Sequence, residues 1–285
     1  MRGARAAALA LVASVVAGCG GTTAGTTATP SPSTAAAPTV PVVPGIEAEA
    51  VRLRTDEPLG NQVQVRITAT GDEPFTVTSV ALDSPGFAPL PPRAAATEFT
   101  PGRTIDLPVT FGDPRCDTAA EPAAARLTVL RSDGSAEDLR VPLAAEILTL
   151  IHEEDCAVLA LAETVTVEVT GLSDEDGAVT GELVLTRRRG EEPVTISRVG
   201  RSVLIDVTAP ELPAELPADG DELRTPVEFT PATCEPHVLA ETKKPFVFPL
   251  EVAVGDGDPV VLDLPVDDVL RSSLERLVER VCRPA

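Results

Sequence analysis

The chain has 285 residues, with 44 acidic side chains against 23 basic ones and a formal net charge of −21. That charge excludes nucleic acid as a partner and sets the body of the protein against an anionic bilayer surface. With 28 Pro, seven Phe and neither Tyr nor Trp, the composition argues against a helical bundle and leaves a core of Val, Leu, Ile and Ala.

Residues 1–19 read in three parts. Arg2 and Arg5 make a positive start, residues 6–16 are apolar apart from Ser14, and Val16-Ala17-Gly18 closes the run with small residues before Cys19. This order predicts a signal peptide over residues 1–18, its apolar stretch too short to span a bilayer. The Val-Ala-Gly-Cys end resembles the lipobox of bacterial lipoproteins. That resemblance implies cleavage before Cys19, acylation of its thiol and anchorage on the outer face of the cytoplasmic membrane. The other reading is an ordinary secretory signal with an incidental cysteine. Cleavage removes both early arginines, leaving 21 basic against 44 acidic residues and a net charge of −23.

Residues 19–45 begin with that cysteine and continue as an uncharged tether of Thr, Ala, Pro, Ser, Gly and Val. Such a segment buries too little apolar surface to offset chain entropy, so it is expected to be disordered and partly extended. It serves as a spacer or as a carrier of O-linked sugar.

Beyond the tether the pattern is that of strands. Val63, Val65, Ile67 and Ala69 alternate with Gln62, Gln64, Arg66 and Thr68. Val165, Val167 and Val169 do the same further on, as do Val203, Ile205 and Val207 against Ser202, Leu204, Asp206 and Thr208. A period of two marks half-buried strands. Gly71-Asp72, Asp133-Gly134, Gly220-Asp221 and Asp256-Gly257 supply the turns between runs. Residues 147–155 read as a short helix or, through Leu148, Leu150 and Ile151, as a strand. Near the C-terminus Val269, Leu270, Leu274, Leu277, Val278 and Val281 form an apolar helical stripe. Asp267 and Asp268 suit the start of that helix, and Arg280 and Arg283 suit its end.

The chain repeats itself. Gly71-Asp72-Glu73-Pro74-Phe75-Thr76-Val77-Thr78 returns as Gly190-Glu191-Glu192-Pro193-Val194-Thr195-Ile196-Ser197, an offset of 119. Pro108-Val109-Thr110-Phe111 returns as Pro226-Val227-Glu228-Phe229, and Cys116-Asp117 as Cys234-Glu235, both at an offset of 118. Repetition at domain length means two copies of one fold. Several short strands in each copy favour an all-β protein of two tandem sandwiches, over residues 46–157 and 158–285, each ending in a short helical segment.

Each copy runs from a Gly-acidic-Glu-Pro turn through a Thr/Val strand to a Pro/Gly-rich turn and a Val-x-Phe strand. In this the chain resembles the immunoglobulin-like domains of the abnormal-spindle/Hydin type, and the resemblance implies seven-stranded sandwiches. The cysteine after the Val-x-Phe strand and the terminal helix depart from that family. The Ala, Val, Arg and Pro richness, with two lysines, resembles proteins of GC-rich actinobacteria.

Four cysteines besides Cys19 suggest disulfides in an exported chain. Cys116 and Cys234 are equivalent in the repeat, and Cys156 and Cys282 each close the segment after a Leu-x-x-Pro strand. Pairing within each copy gives Cys116–Cys156 and Cys234–Cys282, each worth about 4 kcal/mol in the chain-entropy model. Pairing between copies is the alternative. No Cys-x-x-Cys spacing suggests a metal centre.

The sequence offers little chemistry. His152 and His237 lie in non-equivalent places and read as surface residues, and no nucleophile elbow, phosphate loop or zinc motif appears. Asp174-Glu175-Asp176-Gly177 and Asp256-Gly257-Asp258 fall short of a calcium loop and read as hairpin tips. Arg187-Arg188-Arg189 reads as a solvated strand end. The expectation is a non-catalytic, lipid-anchored envelope protein, without cofactor, whose sandwiches meet another envelope protein. The alternative is an extracytoplasmic receptor for a small ligand or cation.

Overall fold

The computed structural model describes residues 39–282 apart from Asp176. The expected signal peptide, Cys19 and most of the tether lie outside the described residues. The described residues fall in one compact unit.

Alternation sets the first sandwich. Its strands are β1 (Ile46–Val51), β2 (Gln62–Ala69), β3 (Phe75–Asp83), β4 (Arg93–Phe99), β5 (Thr104–Thr110), β6 (Ala124–Arg131) and β7 (Ala136–Ala144). On β2, Val63, Val65, Ile67 and Ala69 are all fully buried, so the face read from the sequence is the core face. Each such Val or Ile contributes roughly 1.5–3 kcal/mol by leaving water. β4-β3-β6-β7 form one antiparallel layer and β1-β2-β5 the other. A parallel pairing of β1 with the end of β7, Ala48 opposite Leu143, closes one edge onto the other. First and last strands meeting in parallel, with two layers in this order, make an immunoglobulin-like sandwich.

β7 runs directly into α1 (Glu146–Thr164), and β8 (Val165–Glu175) starts at the next residue. Residues 146–164 hold no Gly or Pro and are rich in Ala, Leu and Glu, so helix is favoured throughout. The helix is therefore not short, and the boundary expected at 157/158 falls inside it. Leu148 and Ile151 enter the first core, whereas Leu161 enters the second. One helix thus belongs to both sandwiches, with no linker between them.

The second sandwich continues with β9 (Ala178–Arg187), β10 (Val194–Val199), β11 (Ile205–Thr208), β12 (Ala214–Leu216) and β13 (Glu222–Pro231). It ends with α2 (Pro236–Glu241), β14 (Pro249–Val254), β15 (Val260–Asp263) and α3 (Asp268–Val281). Its layers are β12-β10-β14-β15 and β11-β13-β9-β8. The repeat holds in detail: a single bridge between Phe87 and Pro114 in the first copy stands where β11 pairs with β13 in the second. One reading fails locally. Val203 is 56% exposed while Ser202 and Leu204 are buried, because the backbone bends there, with Ser202 Oγ accepting from Ile205 N, and the strand begins only at Ile205.

α3 follows its sequence closely. The Asp267 side chain accepts from Leu270 N at 2.8 Å, capping the first turn. Leu270, Leu274 and Leu277 are buried, but Val269 and Val281, read from the sequence as part of the same stripe, are exposed.

Candidate functional site

The two copies share a scaffold, so the place where they part is informative. Phe75 faces Arg131 across β3 and β6 as Val194 faces Val254 across β10 and β14. The offset between copies has therefore risen from 118 at the cysteines to 123 at these strands. Five extra residues enter between Cys234 and β14, and this stretch forms α2. The first copy has no helix there.

α2 and α3 stand as two walls over an open groove of about 460 Å³. Leu239 comes from α2, Val278 from α3, and Leu204 and Phe246 make the floor. Phe246 is 8% exposed and Leu204 5%, so the floor belongs to the core below. Glu275 and Glu279 stand on the α3 wall, and the chain's two lysines, Lys243 and Lys244, are exposed just beyond α2. The disulfide Cys234–Cys282, 5.1 Å between Cα atoms, ties the loop before α2 to the end of α3. Pro at the first turn of α2 and the Thr242 hydroxyl, donating to the Val238 carbonyl at 2.7 Å, hold that short helix. The groove can take up apolar side chains, with the Glu275 and Glu279 carboxylates along its α3 side.

The structure also bonds Cys116 to Cys156, 5.6 Å between Cα atoms. Two disulfides point to an oxidising, extracytoplasmic environment. Among the described residues no helix is long and apolar enough to cross a membrane.

The remaining candidates fall elsewhere. His152 is not a surface residue: it is 8% exposed, packed edge-on against Phe87 with Nε2 3.1 Å from the Arg115 carbonyl. The helix that carries it is buried on that side, which the sequence did not show. His237 is exposed and meets Glu241 at 3.2 Å. Asp174, one residue before the end of β8, meets Arg276 of α3 at 3.2 Å, and Asp256 and Gly257 form the β14–β15 turn. The arginine triplet is engaged rather than merely solvated. Arg187 donates to the carbonyls of Gly220, Glu192 and Pro217, each at 2.8 Å. Arg188 donates to Ala162 at the C-terminus of α1, and Arg189 pairs with Glu163. The groove itself escaped sequence reading, although the change of offset from 118 to 123 marks its position.

No family model matches the chain, and no curated protein matches it. Weak likenesses exist among solved structures. A red sea bream transglutaminase is 10% identical at a TM-score of 0.23, over 76% of this chain and 29% of that one. The YadV chaperone is 14% identical at 0.22, over 77% and 98%, and a Porphyromonas gingivalis protein of unknown function 15% at 0.20, over 77% and 97%. Likenesses at these scores carry no weight for function.

Proposed function

We propose that this chain is a non-catalytic envelope lipoprotein, held by an acylated Cys19 and presenting its second immunoglobulin-like sandwich to another envelope protein. The observation that carries the reading is the α2 insertion. On a duplicated scaffold, the second copy adds an α-helix between Cys234 and β14 where the first has none, and that helix builds an apolar groove. A core residue such as Phe246, reachable from solvent between two helices, suits an apolar anchor from a partner. The tether gives the sandwiches reach, and α1, rooted in both cores, lets them move as one body. The resemblance to abnormal-spindle/Hydin-type domains, known for surface proteins of bacteria, agrees with a display role.

The test is crosslinking in cells, comparing wild type with Leu239→Glu. The variant changes one partly buried groove residue on a short helix and should unfold at close to the wild-type temperature. Loss of a reproducible envelope partner, with membrane retention unchanged, supports the reading. An unchanged set of crosslinked proteins contradicts it. Cys19→Ser should release the protein from the membrane and abolish labelling by an acyl probe.

A further inference from the structure

The two disulfides are built alike. In each, the first cysteine (Cys116 or Cys234) is exposed and the second is half-buried, Cys156 within α1 and Cys282 at the C-cap of α3. They differ in what lies beside the second sulfur. One turn before Cys156, His152 Nε2 stands 3.7 Å from Cys156 Sγ and 3.1 Å from the Arg115 carbonyl. A carbonyl can only accept, so Nε2 carries a hydrogen, and the Cys156 sulfur lies within reach of it. The ring has little freedom. Phe87 packs on it at 5.5 Å, and a Cβ on Gly86 would lie 3.0 Å from its Cδ2 and 2.6 Å from the Ala120 Cα. Asp155, Glu154 and Arg52 supply the charges around it. Cys282 Sγ instead lies 3.6 Å from the Thr233 carbonyl, an acceptor that does nothing for a thiolate.

We propose that Cys116–Cys156 is an exchange site for low-molecular-weight thiols, in addition to its structural part. The incoming thiolate attacks Sγ of Cys116, the exposed residue of the pair, and forms a mixed disulfide there. The bond to Cys156 breaks, its electron pair goes to Cys156 Sγ, and the thiolate is stabilised by the His152 N–H. A second thiolate attacking the mixed disulfide releases the oxidised small thiol and leaves both cysteines reduced. Exchange is faster when the leaving thiolate is stabilised, and an N–H within reach of the sulfur favours the thiolate. The second disulfide, matched in exposure but lacking the imidazole, is the internal control.

The experiment treats the full chain, purified in detergent, with reduced glutathione, followed by acid quench, alkylation and mass mapping of each cysteine. The expected result is glutathione on Cys116 with Cys156 as free thiol, appearing several-fold faster than any product at Cys234 or Cys282. His152→Gln, which keeps a donor for the Arg115 carbonyl, should slow this exchange several-fold. If His152 only packs the helix, its replacement loosens the bridge and exchange speeds up. Faster exchange in His152→Gln, or equal rates at both disulfides, overturns the proposal.

Discussion

Arg187 Nε donates to the Gly220 carbonyl at 2.8 Å, joining the loop after β9 to the loop before β13. The same guanidinium reaches Glu192 and Pro217, so one side chain satisfies three carbonyls from two loops. Charge-assisted bonds of this kind are worth about 1.5–3 kcal/mol. Arg187→Ala should therefore lower unfolding stability by about 2 kcal/mol in a urea titration. Arg189→Ala, which breaks only an exposed pair with Glu163, should cost less than about 0.5 kcal/mol. Equal effects would show that Arg187 does not hold the loops.

Asp56 is a buried carboxylate between β1 and β2, 1% exposed. Its Oδ1 accepts from Gln62 at 2.7 Å and Gln64 at 2.6 Å, and its Oδ2 from Leu53 N at 2.9 Å. All three partners donate, so an amide in its place must point an N–H at another N–H. Asp56→Asn should cost about 1–3 kcal/mol by denaturant unfolding. A neutral result would mean the network re-forms around the amide.

Asp155 yields a prediction in pH. Burial raises its pKa above the ordinary aspartate value, with Glu154 adding to that and Arg52 and His152 opposing it. The fold therefore disfavours its charged form. The stability tied to this group is complete below the unfolded aspartate range and is lost as pH rises through the raised value. Asp155→Asn, neutral throughout, should melt higher than wild type at pH 7. The gap should close as pH falls to about 4. A gap that widens on acidification would reverse the sign.

Much of the fold is legible in the residues. The β2 alternation, the hairpin turns, the repeat and the Asp267-capped α3 all follow from local patterns that tertiary packing then reinforces. What was hidden depends on contacts distant in sequence. His152 is buried because Phe87 and the Arg115 carbonyl, 65 and 37 residues earlier, close over it. Arg187 and Arg188 are drawn to carbonyls, and Arg189 to the Glu163 carboxylate, that are brought near only once α1 and the β12–β13 loop are in place. The groove arises between α2 and α3, whose facing sides the apolar pattern of α3 alone does not distinguish from core. Val203 shows the reverse failure, since the alternation, broken already by Leu204, was read through a bend.

The central claim is that the α2–α3 groove is the contact site of this protein. Site-specific photocrosslinking in cells tests it most directly, with the crosslinker at position 279 on the groove wall. Position 153 is the control: Glu153 precedes Cys156 by three residues as Glu279 precedes Cys282, on the copy without α2. The account predicts one dominant envelope-protein adduct from position 279 and none of it from position 153. The same adduct from both positions, or from neither, would contradict it.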